Sequence, residues 1–260
     1  MASTVHAMEH FASAAVFDFA RRAAVPIFRA DGEHGNPLAT GTFMEINGQL
    51  ALITARHILD DCHPKDIAIP QSWTGSHLST LGPLEVVRPV DLDDLEIDII
   101  AIVLTDEASR ETFAIGWTVI DPSIGMTPLE YGSRDVLIVG YPAVSFVRDG
   151  YMIQSPPPLI IETGRLAEIP SQAKSPIDPD LDLFFDHSST GCKVYTEMDN
   201  PPHPGGMSGC SIWQAVSDEQ GAVWLPENAL RLIGIQSSAL PGKFLRGKSW
   251  EFISELLEHV

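Results

Sequence analysis

The chain is poor in cysteine, in positive charge and in long apolar runs. Its three cysteines, Cys62, Cys192 and Cys210, are odd in number and follow no framework spacing, which argues against a disulfide-built fold and for a reducing, cytoplasmic setting. No Asn-x-Ser/Thr acceptor occurs. Sixteen Lys and Arg stand against 35 Asp and Glu, a net charge of -19, and no basic cluster offsets it. Such a surface repels phosphate backbones, so nucleic acid is not an expected partner. The first apolar segment contains Glu9 and Asp18 and has no basic start, so neither a secretory signal nor a membrane span is expected. Cys62-His63, His187 and Cys192 are scattered without paired ligand spacing, and no metal site is expected from them.

What is present suits a soluble, β-rich chain. Over 260 residues, 44% are apolar, and Pro and Gly number 20 each among many short apolar runs, a pattern of frequent turns rather than of a helical bundle. From Met8 to Arg22, Phe11, Ala15 and Phe19 recur at i, i+4 spacing, predicting a helix that ends before Pro26. Strands are expected at Val25 to Arg29, Thr40 to Ile46 and Leu50 to Thr54, with Asn47-Gly48 marking a hairpin. Further runs at Ile67 to Ile69, Leu84 to Val90, Ile97 to Leu104 and Trp117 to Ile120 complete a first barrel of short antiparallel strands. The pattern breaks around Thr127 to Arg134. A second set then begins with Val136 to Tyr141 and continues at Leu159 to Thr163, Leu181 to Phe185, Ser211 to Val216, Ala222 to Leu225 and Leu230 to Gln236. Ser171 to Asp180 reads as an exposed loop, and Ser249 opens a terminal helix with Trp250, Ile253, Leu256 and Leu257 on one face. The expected division is a helical segment 1–23, a first unit 24–128 and a second unit 129–260.

The stretch His203-Pro-Gly-Gly-Met-Ser-Gly-Cys-Ser-Ile-Trp213 places Ser208 in a turn whose glycines let backbone N–H groups converge on one point, as a hydroxyl nucleophile requires. A serine nucleophile also needs a base and a group that orients the base. His57 follows a buried strand, and Asp98 stands at the head of Ile99-Ile-Ala-Ile-Val-Leu104, where its carboxylate needs a partner. Asp91, Asp93 and Asp94 lie in a polar stretch and are expected to be solvated.

Ile53-Thr-Ala-Arg-His57, Asp98-Ile-Ile-Ala-Ile-Val-Leu104 and Gly206-Met-Ser-Gly209, in that order and with Leu232 to Ser237 behind them, resemble the motif series of the chymotrypsin-like (trypsin-fold) serine peptidases. The resemblance runs from about residue 24 to the end. It implies an all-β fold of two six-stranded antiparallel β-barrels, with helices added at both ends. It implies a serine endopeptidase in which Ser208 attacks a peptide carbonyl, His57 is general base and acid, and Asp98 holds the imidazole tautomer. The N–H groups of Gly206 and Ser208 are then the oxyanion hole, and Gln236, Ser237 and Ser238 form the edge on which a polypeptide substrate pairs. No cofactor is implied. Pro202, six residues before Ser208, stands where trypsin carries the acid that selects Lys and Arg, so cleavage after basic residues is not expected. Met207 replaces the aspartate that pairs with a newly cut N-terminus in secreted members, so that form of activation is not expected either. Cys210 and Arg56 replace small residues beside the site. Cys210 reads as a small buried filler rather than a reactive thiol.

Two other readings compete. An α/β-hydrolase needs Gly-x-Ser-x-Gly and a histidine after the acid, whereas Gly206 to Cys210 lacks the last glycine and only His259 follows Ser208. A catalytically silent fold of the same type, serving as a peptide-binding or sensing module, remains the alternative to an enzyme.

Overall fold

The computed structural model describes residues 14–31, 34–89, 97–128, 136–149, 152–154, 156–195, 202–216 and 226–260. The start of the expected N-terminal helix, the acids Asp91, Asp93 and Asp94, and the expected strand at Ala222 to Leu225 lie outside these residues.

Two antiparallel sheets of seven strands each curl over separate cores, giving a trypsin-like double barrel. The first uses β1 (Val25–Asp31), β2 (His34–Ile46), β3 (Gln49–Ala55), β4 (Ile67–Pro70), β5 (Leu78–Thr80), β6 (Leu84–Val87) and β7 (Ile99–Leu104), in the order β5-β4-β1-β2-β3-β7-β6. The second uses β8 (Val136–Gly140), β11 (Leu159–Thr163), β12 (Asp182–Asp186), β13 (Lys193–Tyr195), β14 (Ser211–Ala215), β15 (Leu230–Leu240) and β16 (Phe244–Ser249), in the order β12-β16-β15-β14-β8-β11-β13. A separate ribbon pairs β9 (Val147–Asp149) with β10 (Met152–Gln154). Each sheet thus carries one strand more than the expected six.

The side-chain period explains the sequence of the central strands. In β7, Ile100, Ile102 and Leu104 fill the first barrel, while Ile99, Ala101 and Val103 face a third core between the barrels. A strand buried on both faces reads as an unbroken apolar run, which is why residues 99–104 show no alternation. In β8, Val136 and Ile138 turn into the second barrel, and Leu137 and Val139 into the shared core. The β2–β3 turn is the expected hairpin: Asn47 and Gly48 have φ of 52° and 76°, the left-handed pair that matches strand twist.

Helices close the shared core. Helix α1 (Ala14–Ala23) is too short to be stable alone and is held by burial of Val16, Ala20 and Ala23, with Phe19 edge-on to Trp213 at 5.7 Å. The short helical turn α2 (Ile58–Asp61) follows His57. Helix α3 (Glu107–Gly116) has no counterpart among the expected elements; the side chain of Asp106 accepts from the Ser109 N–H and starts it, and Phe113 pins it. Trp117 to Ile120, expected as a strand, is instead an extended segment after that helix, with an isolated parallel bridge between Ile120 and Met44. Its apolar residues serve as plugs: Trp117 packs in the first barrel, donating its indole N–H to Pro70 O at 2.9 Å, and Ile120 in the shared core. The terminal helix α4 (Trp250–Leu257) buries Phe252, Ile253, Leu256 and Leu257 in the shared core, and Trp250 lies over Gly125.

One buried ionic cluster ties the second sheet together. Asp182 of β12 accepts from Arg246 Nε at 2.8 Å and pairs with Lys248 Nζ at 2.8 Å, both on β16. Its carboxylate is fully enclosed, and Lys248 is only 3% exposed.

Candidate active site

Strand register brings His57 and Asp98 together. Ala55 of β3 pairs with Ile99 of β7, so the next residues off each strand end, Arg56 and Asp98, are also opposed, and the Arg56 N–H donates to Asp98 O at 3.1 Å. The chain then turns tightly into α2. One carboxylate oxygen of Asp98 accepts the His57 backbone N–H at 2.9 Å, and the other lies 2.6 Å from the His57 ring Nδ1. The two bonds fix both the position and the tautomer: with Nδ1–H donating to the carboxylate, the Nε2 lone pair of a neutral ring is left free to accept a proton.

The electrostatics of His57 follow from these neighbours. The hydrogen bond to Asp98 raises its pKa above the ordinary 6.5; burial opposes this, the charges of Asp98 and Asp60 add to it, and Arg56 opposes it. Arg56 is held in its own ion pair with Asp60 at 3.1 Å, with its Nε 4.0 Å from the Asp98 carboxylate. The His57 side chain stays 41% exposed, so it can meet a partner from solvent.

The Ser208 loop is clamped by both barrels. On the first-barrel side, the Thr40 N–H donates to Ser208 O at 2.9 Å and the Thr40 hydroxyl to Gly206 O at 3.0 Å, while that hydroxyl accepts the Tyr141 N–H at 2.9 Å. Thr54 in turn donates to Thr40 O at 2.7 Å. On the second-barrel side, Gly209 N–H donates to Gln236 O at 2.6 Å and Gln236 N–H to Cys210 O at 2.8 Å. Gly209 has φ of +88°, and a Cβ on it would lie 2.2 Å from Thr40 O and 2.7 Å from Ala55 N. The residue after the serine therefore touches the strand that delivers His57, an approach only glycine permits. No hydrogen bond joins Ser208 Oγ to His57 among the described residues.

The peptide planes of the loop orient two free donors. Gly205 O accepts the Ala143 N–H at 2.7 Å, and Met207 O accepts the Cys210 N–H at 3.0 Å. In a trans peptide the N–H points opposite to the C=O, so the Gly206 N–H faces away from Ala143 and the Ser208 N–H away from Cys210. Neither has an acceptor among the described residues. Gly206, with φ of +95°, adopts the left-handed backbone this requires.

Met207 and Cys210 anchor the loop from below. Both are buried in the second-barrel core, where an aspartate carboxylate at position 207 would lose its hydration. Burial pushes the Cys210 thiol far up, leaving it protonated and inert as a nucleophile. Cys62, Cys192 and Cys210 are all free thiols.

The remaining sequence-derived residues divide. Gln236 and Ser237 are buried and Ser238 is exposed on β15; β14 pairs with β15 no further than Ile235, so beyond Gln236 the strand has β16 on one side and no described strand on the other. Pro202 lines a groove of about 440 Å³ with Arg21, Pro142, Leu159 and Tyr195, a lining that includes none of Gln236, Ser237 and Ser238. Nothing in the sequence singles out Thr40; a threonine within a strand carries no local mark of bridging two barrels. No cluster of metal-ligating side chains occurs among the described residues, and no helix among them is long and apolar enough to cross a membrane.

No protein-family model and no curated protein matches the chain. Solved structures do. The serine endoprotease from Yersinia pestis aligns with a TM-score of 0.50 at 16% identity over 94% of this chain and 64% of that one, so the chain spans just under two thirds of that protein. A thermostable serine protease, AL20, from an extremophilic microorganism aligns at 0.49 and 13% identity over 93% and 97%. The tobacco vein mottling virus protease aligns at 0.40 and 12% over 90% and 79%. At such identities the likeness speaks of architecture alone: the chain has the trypsin-like double-barrel fold, shared with the Yersinia serine endoprotease.

Proposed function

We propose that the chain is a serine endopeptidase working through Ser208, His57 and Asp98. The observation that carries this reading is the double engagement of Asp98 with His57, at 2.9 and 2.6 Å, beside a serine loop anchored to the same strand end. Ser208 Oγ attacks the substrate carbonyl while His57 Nε2 takes its proton. Asp98 holds the ring and stabilises the imidazolium that forms. The resulting oxyanion is received by the Gly206 and Ser208 N–H groups, and one such donor is worth ~3–4 kcal/mol in the barrier. His57 then returns the proton to the leaving amine, and water hydrolyses the acyl-enzyme by the same route in reverse. An extended polypeptide adds as a strand along Gln236 to Ser238. We place the functional units at 24–128 and 129–260, with 1–23 as an accessory helical segment, and the protein in a reducing compartment such as the cytoplasm, in keeping with its three free thiols.

A second reading, a silent peptide-binding module, is favoured by one observation: Ser208 Oγ makes no hydrogen bond to His57 among the described residues. Catalytic hydrogen bonds in ligand-free sites are often long and tighten only on binding, so this does not displace the first reading. A fluorophosphonate probe separates the two. Labelling that is abolished in Ser208→Ala and reduced in His57→Ala is the expected result. A folded protein that stays unlabelled between neutral and alkaline pH, in buffer and in cell lysate, refutes turnover.

A further inference from the structure

The catalytic scheme leaves the side chain of Gln236, next to the serine loop, unused. It is 1% exposed, and its Oε1 is buried with no hydrogen-bond partner among the described residues. Its backbone is joined to Gly209 and Cys210 by two hydrogen bonds, so its Cα lies one strand spacing from the residue that follows Ser208.

The direction of the side chain follows from its neighbours. Ile235 faces the shared core, so Gln236 turns to the opposite face. Its register partner Gly247 confirms that face, since a Cβ there would meet Ile212 of the second-barrel core at 2.3 Å. Gln236 therefore projects into the second barrel, on the side of the core that holds Met207 and Cys210. A buried carbonyl oxygen left without a donor among such neighbours costs stability unless something else supplies the donor.

We infer that Gln236 reads the substrate side chain at the attacked residue, and that the site takes an uncharged side chain with a hydrogen-bond donor, the carboxamides of Gln and Asn first. This rests on the peptidase reading for where the substrate lies. A peptide paired along Ser237 and Ser238, with its carbonyl at Ser208, points the side chain of the attacked residue down the face that carries Gln236. A carboxamide donates to Oε1 and can accept from the Gln236 amide in return. Lys or Arg would bury a charge against a mere dipole, and an aliphatic side chain would leave Oε1 as it stands.

The test uses full-length Ser208→Ala protein and acetylated tetrapeptides ending in Gln, Asn, Leu, Lys or Glu, with affinity measured by calorimetry. Peptides ending in Gln or Asn are expected to bind about five- to tenfold more tightly than those ending in Leu, the worth of one neutral hydrogen bond. Adding Gln236→Met should erase or reverse that ratio, and the near-isosteric Gln236→Glu should move preference to Lys. Equal selectivity with and without Gln236, or tighter binding of the Leu peptide by the Gln236 protein, overturns the inference. Fluorophosphonate labelling of the wild-type chain reports separately on catalysis: an unlabelled protein that keeps Gln236-dependent selectivity refutes turnover and supports the recognition role.

Discussion

Replacing Gly209 by alanine should unseat the serine loop, and two separate costs can be worked out for it. The first is conformational: at φ of +88° an alanine sits in the left-handed region, at about 1–2 kcal/mol. The second is steric. The new Cβ would be 2.2 Å from Thr40 O, 2.4 Å from Thr54 Oγ1 and 2.7 Å from Ala55 N, so the loop must retreat by roughly 1 Å to regain ordinary contact, an overpacking cost of about 1–3 kcal/mol. The sum is about 2–5 kcal/mol. Gly48 supplies the control, since it has φ of +76° and a Cβ added to it would meet nothing within 4 Å, so Gly48→Ala carries the first cost alone. Thermal unfolding reads both variants, at about 2–4 °C per kcal/mol for chains of 150–250 residues. Gly209→Ala is expected to melt lower than Gly48→Ala by several degrees and to label with fluorophosphonate at least about 100-fold more slowly, because a displacement near 1 Å removes that much reactivity. Equal melting temperatures and equal labelling for the two variants would refute the contact between the serine loop and the strand that delivers His57.

The remaining expectations concern charge. Because the Asp98 hydrogen bond raises the His57 pKa, labelling should rise with pH through a midpoint above 6.5; in Asp98→Asn the midpoint should fall while the plateau drops by about 10⁴-fold, as in the general triad scheme. The same shift carries a stability signature: the contribution of His57 is fully present below its unfolded pKa and is lost as pH rises through the raised folded value, so the melting-temperature gap between wild type and Asp98→Asn should narrow with alkalinity. Asp182→Ala leaves the buried Lys248 and Arg246 facing no carboxylate where β12 starts against β16, and should cost about 3–5 kcal/mol in urea unfolding; a loss below about 1 kcal/mol would show that the cluster is solvated.

Local signals carry much of the fold. Asn47-Gly48 sets a hairpin by backbone chemistry alone, and the run from Ile99 to Leu104 marks a strand buried on both faces. Helix α3 is hard to read in sequence because only Phe113 along it is buried, so its amphipathic stripe is one residue wide, though Asp106 with Ser109 is a capping signal. Trp117 to Ile120 misleads for the converse reason: a short apolar stretch buried at its two ends also suits an extended plug. In the candidate site, His57, Asp98 and Ser208 are legible as an ordered series. Thr40 and the side chain of Gln236 are not, since their roles depend on segments more than a hundred residues away in one case and on an unfilled hydrogen bond in the other.

Thr40 has a consequence for the birth of the protein. Its amide and hydroxyl, reaching Ser208 and Gly206 from one barrel while Tyr141 and Gln236 grip from the other, make the shape of the serine loop a property of two halves together. Neither half alone can hold that shape. In chain order His57 stands 151 residues and Asp98 110 residues before Ser208, so a half-formed chain holds the first two without the third. The latch thus ties the shape of the loop to the docking of the two barrels, so that the reactivity we propose arrives only when both are in place.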